Sequence, residues 1–195
     1  MATLRAQFIK TISALMDEDE SLVLLLGDIS TYAFRQCIER HPSRAYNLGI
    51  AEQASVSIAA GLAIEGFVPI FHTIDAFAVR RCFEQVYLDF GVQRLPGLFI
   101  TVGGGQDYKS LGPTHMCEHG MKLMAEVPGM RVTIPRTAQA VDHDIRHAAS
   151  SRDLCYIRLE ESLAIHDAAP KRPKLHLPLS RGPNGYADES AGAQR

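Results

Sequence analysis

Five short apolar runs punctuate this chain, and their regular alternation with amphipathic segments leaves few architectures open. Leu22-Val23-Leu24-Leu25-Leu26 is apolar throughout, and similar runs fall at 67–71, 97–102, 131–134 and 155–159. A strand that is apolar on both sides must be covered on both faces. The segments between them carry a helical period. Leu4, Phe8, Ile9, Ile12, Leu15 and Met16 share one helical face, and helices are also predicted at 33–40, 51–65, 76–90, 118–126 and 138–149. Turn residues mark the boundaries, among them Asp28, Pro42 and the run Gly103-Gly104-Gly105. Strands alternating with helices predict a three-layer α/β/α fold around a mostly parallel sheet. The segment 51–65, rich in Ala, Ile and Val with Gly61 inside it, is expected to be central, buried and packed closely against other backbone.

From Ala168 the pattern stops. Pro170, Pro173, Pro178 and Pro183 fall among basic, Gly and Ser residues, so residues 168–195 are expected to be a disordered tail. That leaves one domain over 1–167, in a chain of 195 residues long enough to bury a core without disulfide or metal staples. The 20 Lys and Arg against 22 Asp and Glu give a net charge of −2. This balance argues against an electrostatic nucleic-acid binder. No apolar run approaches the ~20 residues of a membrane span, and the N-terminus lacks the pattern of a secretory signal, so a cytoplasmic protein without membrane contact is expected. Cys37, Cys82, Cys117 and Cys155 are widely spaced, which suits reduced, buried thiols.

In an open parallel sheet, ligands bind beyond the carboxyl ends of the strands. Three polar or Gly-rich segments lie at such ends: 27–31, 72–75 and 103–115. A fourth feature is Glu52, a lone carboxylate in the first turn of an apolar helix, where the dipole favours the anion and burial favours the neutral acid. It is either a proton donor or a residue that only serves the helix N-terminus. Other groupings are weaker. His115-Met116-Cys117-Glu118-His119 and the pair His143 and His147 contain potential metal ligands without a full set. The triple glycine matches no phosphate-binding fingerprint and reads as a flexible loop on the ligand side. Arg80 and Arg81 are expected on a solvated face. The basic residues between Lys171 and Arg181 read as a solvated extension, with an acidic partner surface as the alternative.

Residues 47–66, NLGIAEQASVSIAAGLAIEG, resemble the signature of the pyrimidine-binding domain of transketolases and deoxyxylulose-phosphate synthases. HTIDAFAVRRCFEQ at 72–85, LGPTH at 111–115 and YIRL at 156–159 resemble later motifs of that family, in the same order. The likeness spans about residues 4–165. It implies thiamine diphosphate as cofactor, bound between a pyrimidine-binding domain and a diphosphate-binding domain. No Gly-Asp-Gly with a later Asn is present, since Gly27-Asp28 continues as Ile29-Ser30. The resemblance therefore implies a split enzyme, in which a separate diphosphate-binding subunit holds the cofactor's diphosphate with Mg2+ or Ca2+, in an α2β2 assembly.

The same resemblance implies roles for particular residues. Glu52 would hydrogen-bond the pyrimidine N1′ and drive the proton relay that activates the cofactor, so Glu52→Gln should cripple the reaction. Phe77 would pack against the pyrimidine ring, although a core Phe on an amphipathic helix is the other reading. Asp28 and Ile50 would lie beside the cofactor. His115, with His72 and Arg158, would face the substrate. Transketolases acting on sugar phosphates carry an acidic residue before the Gly-Pro-Thr-His loop, a histidine upstream of it, and an arginine after the closing strand. Here those places hold Leu111, Gly103 and the pair Glu160 and Glu161. A carboxylate repels phosphate, so either Arg158 compensates or the acceptor is unphosphorylated. The implied reaction is transfer of a two-carbon ketol unit from a ketose-type donor to an aldehyde. A decarboxylating carboligase acting on 2-oxo acids and a non-catalytic assembly or regulatory module of the same fold are the alternatives.

Overall fold

Alternate side chains of a strand point to opposite faces, and in Leu22–Leu26 both sets are apolar. In the computed structural model, which describes residues 3–165, this run is β1, and its two faces enter two separate cores. Leu22, Leu24 and Leu26 join Phe8, Ile12, Phe34 and Ile145 on one side; Val23 and Leu25 join Val56, Ala59, Phe71 and Phe90 on the other. The remaining strands are β2 (Ala45–Asn47), β3 (Val68–Ile74), β4 (Gly97–Val102), β5 (Arg131–Thr133) and β6 (Leu154–Leu159). They form one six-stranded sheet in the order β2-β1-β3-β4-β6-β5, with every pairing parallel. The expected three-layer α/β/α architecture is the one observed.

Helices α1 (Leu4–Glu18), α2 (Thr31–Arg40) and α6 (Ala138–Ser151) cover the first face. Thr3 and Thr137 cap α1 and α6 by accepting from the amides of Ala6 and Ala140, both at 3.1 Å. The Thr11 hydroxyl, buried between these helices, donates to Asp142 at 2.7 Å. Helix α3 (Glu52–Ile64), the helical segment 77–92 and α5 (Gly120–Ala125) cover the second face. Phe99 of β4 packs edge-on against Phe71 and Phe90 there. Each fully buried Phe contributes about 1.5–3 kcal/mol through the apolar area it removes from water.

Three sequence expectations are corrected. The short edge strand β2 was not foreseen, because only Ala45 of its three residues is buried. Segment 76–90 is not a regular helix: π-type turns at Phe77–Arg81 and Val86–Val92 flank a single α turn, α4 (Phe83–Gln85), and the chain breaks at Cys82. Helix α3 is buried on one face only; Ile58 and Ile64 are exposed, and nothing lies within 4 Å of where a Cβ on Gly61 would stand. The segment 168–195 lies outside the described residues. From β1 the chain runs to the edge strand β2, then crosses to β3 on the other side of β1. The carboxyl ends of β1 and β3 therefore flank the point where the connections diverge, which is where such sheets open a ligand crevice.

Candidate functional site

The turn after β2 delivers Glu52 to the sheet. Gly49 takes a φ of +75°, a conformation that favours glycine, and its amide donates to Asn47 Oδ1 at 3.2 Å. The chain then enters α3 with Glu52 in its first turn. The Glu52 side chain has no solvent exposure. Its Oε2 accepts from Arg81 Nη1 at 2.7 Å, while Oε1 is buried without a hydrogen-bond partner. Burying a carboxylate oxygen with nothing to satisfy it is costly, and such an orphan marks a place for a donor from another molecule.

Arg81 closes the first π-type turn, a geometry that recurs at functional sites. Its guanidinium lies over the Phe77 ring, 4.0 Å from the centroid, a favourable cation–π placement. The ring of His115 meets Phe77 edge-on at 5.1 Å. His115 is half-buried in the 3₁₀ turn Pro113–His115, entered through Gly112 at φ +84°. Its Nδ1 lies 2.9 Å from the Thr114 hydroxyl, and Arg80 ties the turn down by donating to the Pro113 carbonyl at 3.3 Å. Glu52, Arg81, Phe77 and His115 thus form one connected series of contacts. Cys82, beside them, is inert as a nucleophile: burial first, then the Glu52 charge, pushes its thiol up to about 12.

A second buried polar group underlies the loop that carries His115. Asp75, at the end of β3, accepts on Oδ1 from the hydroxyls of Tyr156 (β6) and Thr101 (β4), the latter at 3.1 Å; its Oδ2 has no partner. Burial raises its pKa to about 6, against the opposing effects of the Arg158 charge and the Thr101 hydrogen bond. Arg158, also buried, is paired with Glu160, and both pack under the glycine run. A Cβ at Gly104 would stand 2.3 Å from Arg158 Nε, and one at Gly105 would stand 2.3 Å from Glu160 Oε1. The glycines let the loop backbone lie directly on this ion pair before Gly105 bridges to Cys117.

The other predicted site residues make no hydrogen bond or ring contact with the Glu52 series. Asp28 is exposed at φ +56° and forms a reciprocal pair with Asn47: its amide donates to Asn47 Oδ1 and its Oδ1 accepts from Nδ2, both at 3.0 Å. Positive φ recurs at Ser30 in the same turn, and also at Arg94 and Arg152. Ile50 is 71% exposed on the turn before α3. His72 does not join the cluster. It is fully buried on the opposite face of the sheet, its ring 4.5 Å from that of Phe8, with Nδ1 on the Ile100 carbonyl and Nε2 on Ser30. Desolvation depresses its pKa to about 4. Arg158 is buried and paired with Glu160. Arg81 is exposed over 40% of its side chain, in keeping with the expected solvated face, and is also the partner of Glu52. Asp75 closes the strand-end segment 72–75 and Tyr156 opens the YIRL motif, but the sequence does not show that they share a hydrogen-bonded group with Thr101. Among the described residues, no group of three or more His, Cys, Asp or Glu is placed to hold a metal ion, and no helix is long and apolar enough to cross a membrane.

Comparisons with known proteins bear on the family and the fold. A protein of the fasciation locus of Rhodococcoides fascians, described as uncharacterized, is 28% identical over 175 residues, covering 90% of this chain and 56% of that protein. A 1-deoxy-D-xylulose-5-phosphate synthase of Nitratidesulfovibrio vulgaris is 29% identical over 178 residues, covering 91% of this chain and 26% of the synthase. The chain therefore spans between about a quarter and a little over half of these relatives. Among solved structures, a split-gene transketolase described as an inactive β4 tetramer superposes with a TM-score of 0.74 at 28% identity, over 83% of this chain and 52% of the other. The transketolase of Campylobacter jejuni, at 16% identity and a TM-score of 0.68 over 80% of this chain and 25% of its own, shares the fold. The family described as "Transketolase, pyrimidine binding domain" matches residues 1–165, and the chain belongs to that thiamine-diphosphate-dependent family.

Proposed function

We propose that this chain is the pyrimidine-binding subunit of a two-component, thiamine-diphosphate-dependent enzyme that transfers a two-carbon ketol unit from a ketose-type donor to an aldehyde acceptor. The observation that carries the reading is the buried Glu52 carboxylate, with one oxygen bound to Arg81 and the other free. The residues fit the cofactor's aminopyrimidine: Glu52 Oε1 would hold the proton at N1′, and Phe77 offers an aromatic surface beside it. When bound, thiamine diphosphate supplies a nucleophilic carbon and an electron sink for cleaving a bond next to a carbonyl. This chain's own part is to move one proton at N1′ through Glu52, to exclude water around it, and to present His115 to the substrate's oxygens.

The diphosphate, with Mg2+ or Ca2+, would be held mainly by a separate subunit in an α2β2 assembly. The split-gene relative, described as an inactive β4 tetramer, is in keeping with a requirement for that second chain. Engagement of Arg158 by Glu160 favours an acceptor recognised through hydroxyls and not through a phosphate on Arg158. Four free, buried cysteines suit a reducing, cytoplasmic setting. The test is reconstitution of the full chain with a diphosphate-binding partner chain. Cofactor-dependent turnover of a ketose and an aldehyde is expected, without release of carbon dioxide. Stable association with no turnover of any donor would favour an assembly role, and carbon dioxide release from a 2-oxo acid would move the chemistry to the carboligase class.

A further inference from the structure

Within this reading, we infer that Arg81 is a positioning residue for the proton relay, fixing which oxygen of Glu52 meets the cofactor. A carboxylate on a flexible two-carbon stem can present either oxygen, and a buried one rotates toward whatever donor it finds. Here that freedom is removed. Arg81 Nη1 donates to Oε2 at 2.7 Å, the same guanidinium sits over the Phe77 ring with its carbon 4.0 Å from the centroid, and the Phe77 and His115 rings meet edge-to-face. Oε1, with no partner among the described residues, is left as the acceptor for an incoming donor. The π-type turn sets this up, since it ends on Arg81 and brings that side chain back to the start of α3, 29 residues earlier in the sequence.

The charge on Arg81 also keeps an otherwise unsolvated anion paired while the site awaits its ligand. Arg81 itself is 40% exposed at the side chain, so the ion pair is not wholly removed from water. A planar fork locked on an aromatic face gives the carboxylate a defined orientation that a flexible point charge does not. Misplacing a reacting group by about 1 Å costs on the order of 100-fold in rate, which sets the size of the expected effect.

The test uses the full chain reconstituted with its diphosphate-binding partner, and compares wild type, Arg81→Met, Arg81→Lys and Glu52→Gln. Two readouts are taken: the dissociation constant of thiamine diphosphate, and the rate of hydrogen–deuterium exchange at the bound cofactor's thiazolium C2. Arg81→Met is expected to slow exchange about 100-fold with the dissociation constant changed less than threefold. Arg81→Lys, which keeps the cation but not the fork, should stay within about tenfold of wild type. If Arg81→Met does not assemble, the same comparison is read on Arg81→Gln. The inference is overturned by exchange within threefold of wild type in the uncharged variant, by a Lys variant no better than that variant, or by markedly tighter cofactor binding without Arg81. The last result would make the guanidinium a stand-in that the ring displaces. Glu52→Gln separates the two claims: if it leaves exchange intact, the proposed function itself fails, whereas its loss beside an unaffected Arg81 variant defeats only the role of Arg81.

Discussion

Replacing Asp75 by Asn should change how the stability of this protein depends on pH, with a sign and size fixed by the burial of Asp75 and set against an opposing trend from His72 on the other face of the sheet. Asp75 is raised from 3.8 to about 6 by burial, so between those values the folded chain keeps a proton that the unfolded chain has lost. Its contribution is full below pH 3.8, declines as pH rises, and is gone above about 6. His72 works the other way. Its pKa falls from 6.5 to about 4, so the unfolded chain binds the extra proton and stability climbs as pH rises through that interval. At about 1.4 kcal/mol per pH unit, each group accounts for roughly 3 kcal/mol, and between pH 4 and 6 the two slopes nearly cancel. In Asp75→Asn the side-chain oxygen would still accept from Tyr156 and Thr101, while an amide nitrogen would replace the unpartnered Oδ2 at a pH-independent cost of about 1–3 kcal/mol. Urea unfolding of both proteins at half-unit steps from pH 4 to 7.5 isolates the Asp75 contribution as a difference, because all other titrations are shared. The variant is expected to lose stability relative to wild type at pH 4 and to recover about 3 kcal/mol of that deficit by pH 7. A difference that stays flat across the range would refute the claim that Asp75 is a desolvated, proton-retaining acid.

Gly104→Ala should displace the loop that carries His115, because its Cβ would stand 2.3 Å from Arg158 Nε, and Arg158 is itself held by Glu160. A loss of about 1–3 kcal/mol in urea unfolding, with a fall in turnover of the reconstituted assembly, is expected; unchanged values for both would contradict the packing described. Gly61→Ala should do the opposite in the isolated chain, raising stability by about 0.5–1 kcal/mol, since the position is helical and its Cβ would meet nothing.

How much of this was legible in the sequence follows from the range over which each feature is determined. Apolar periodicity is local, so five of the six strands and both cores could be read from runs such as Leu22–Leu26. β2 could not, since a three-residue edge strand with one buried side chain carries almost no pattern. Glu52 was visible as a carboxylate out of place in an apolar helix, and family motifs pointed to Phe77 and His115. Arg81 was not, because its partner lies on another helix and a π-type turn, not the 3.6-residue period, decides where it points. The surroundings of His72 and Arg158 were equally hidden: strand parity turns His72 toward Phe8, and the pairing of Arg158 with Glu160 is not written in the motif. Gly61 suggested close packing inside the chain, whereas its surroundings are open.

The central claim is that a carboxyl group sealed inside this chain passes a proton to a ring anchored by another. It is tested most directly by following deuterium exchange at the reactive carbon of bound thiamine diphosphate, in the assembly carrying Glu52→Gln. The account predicts a rate lower by on the order of 100- to 10,000-fold with the cofactor still bound; exchange at the wild-type rate would contradict it.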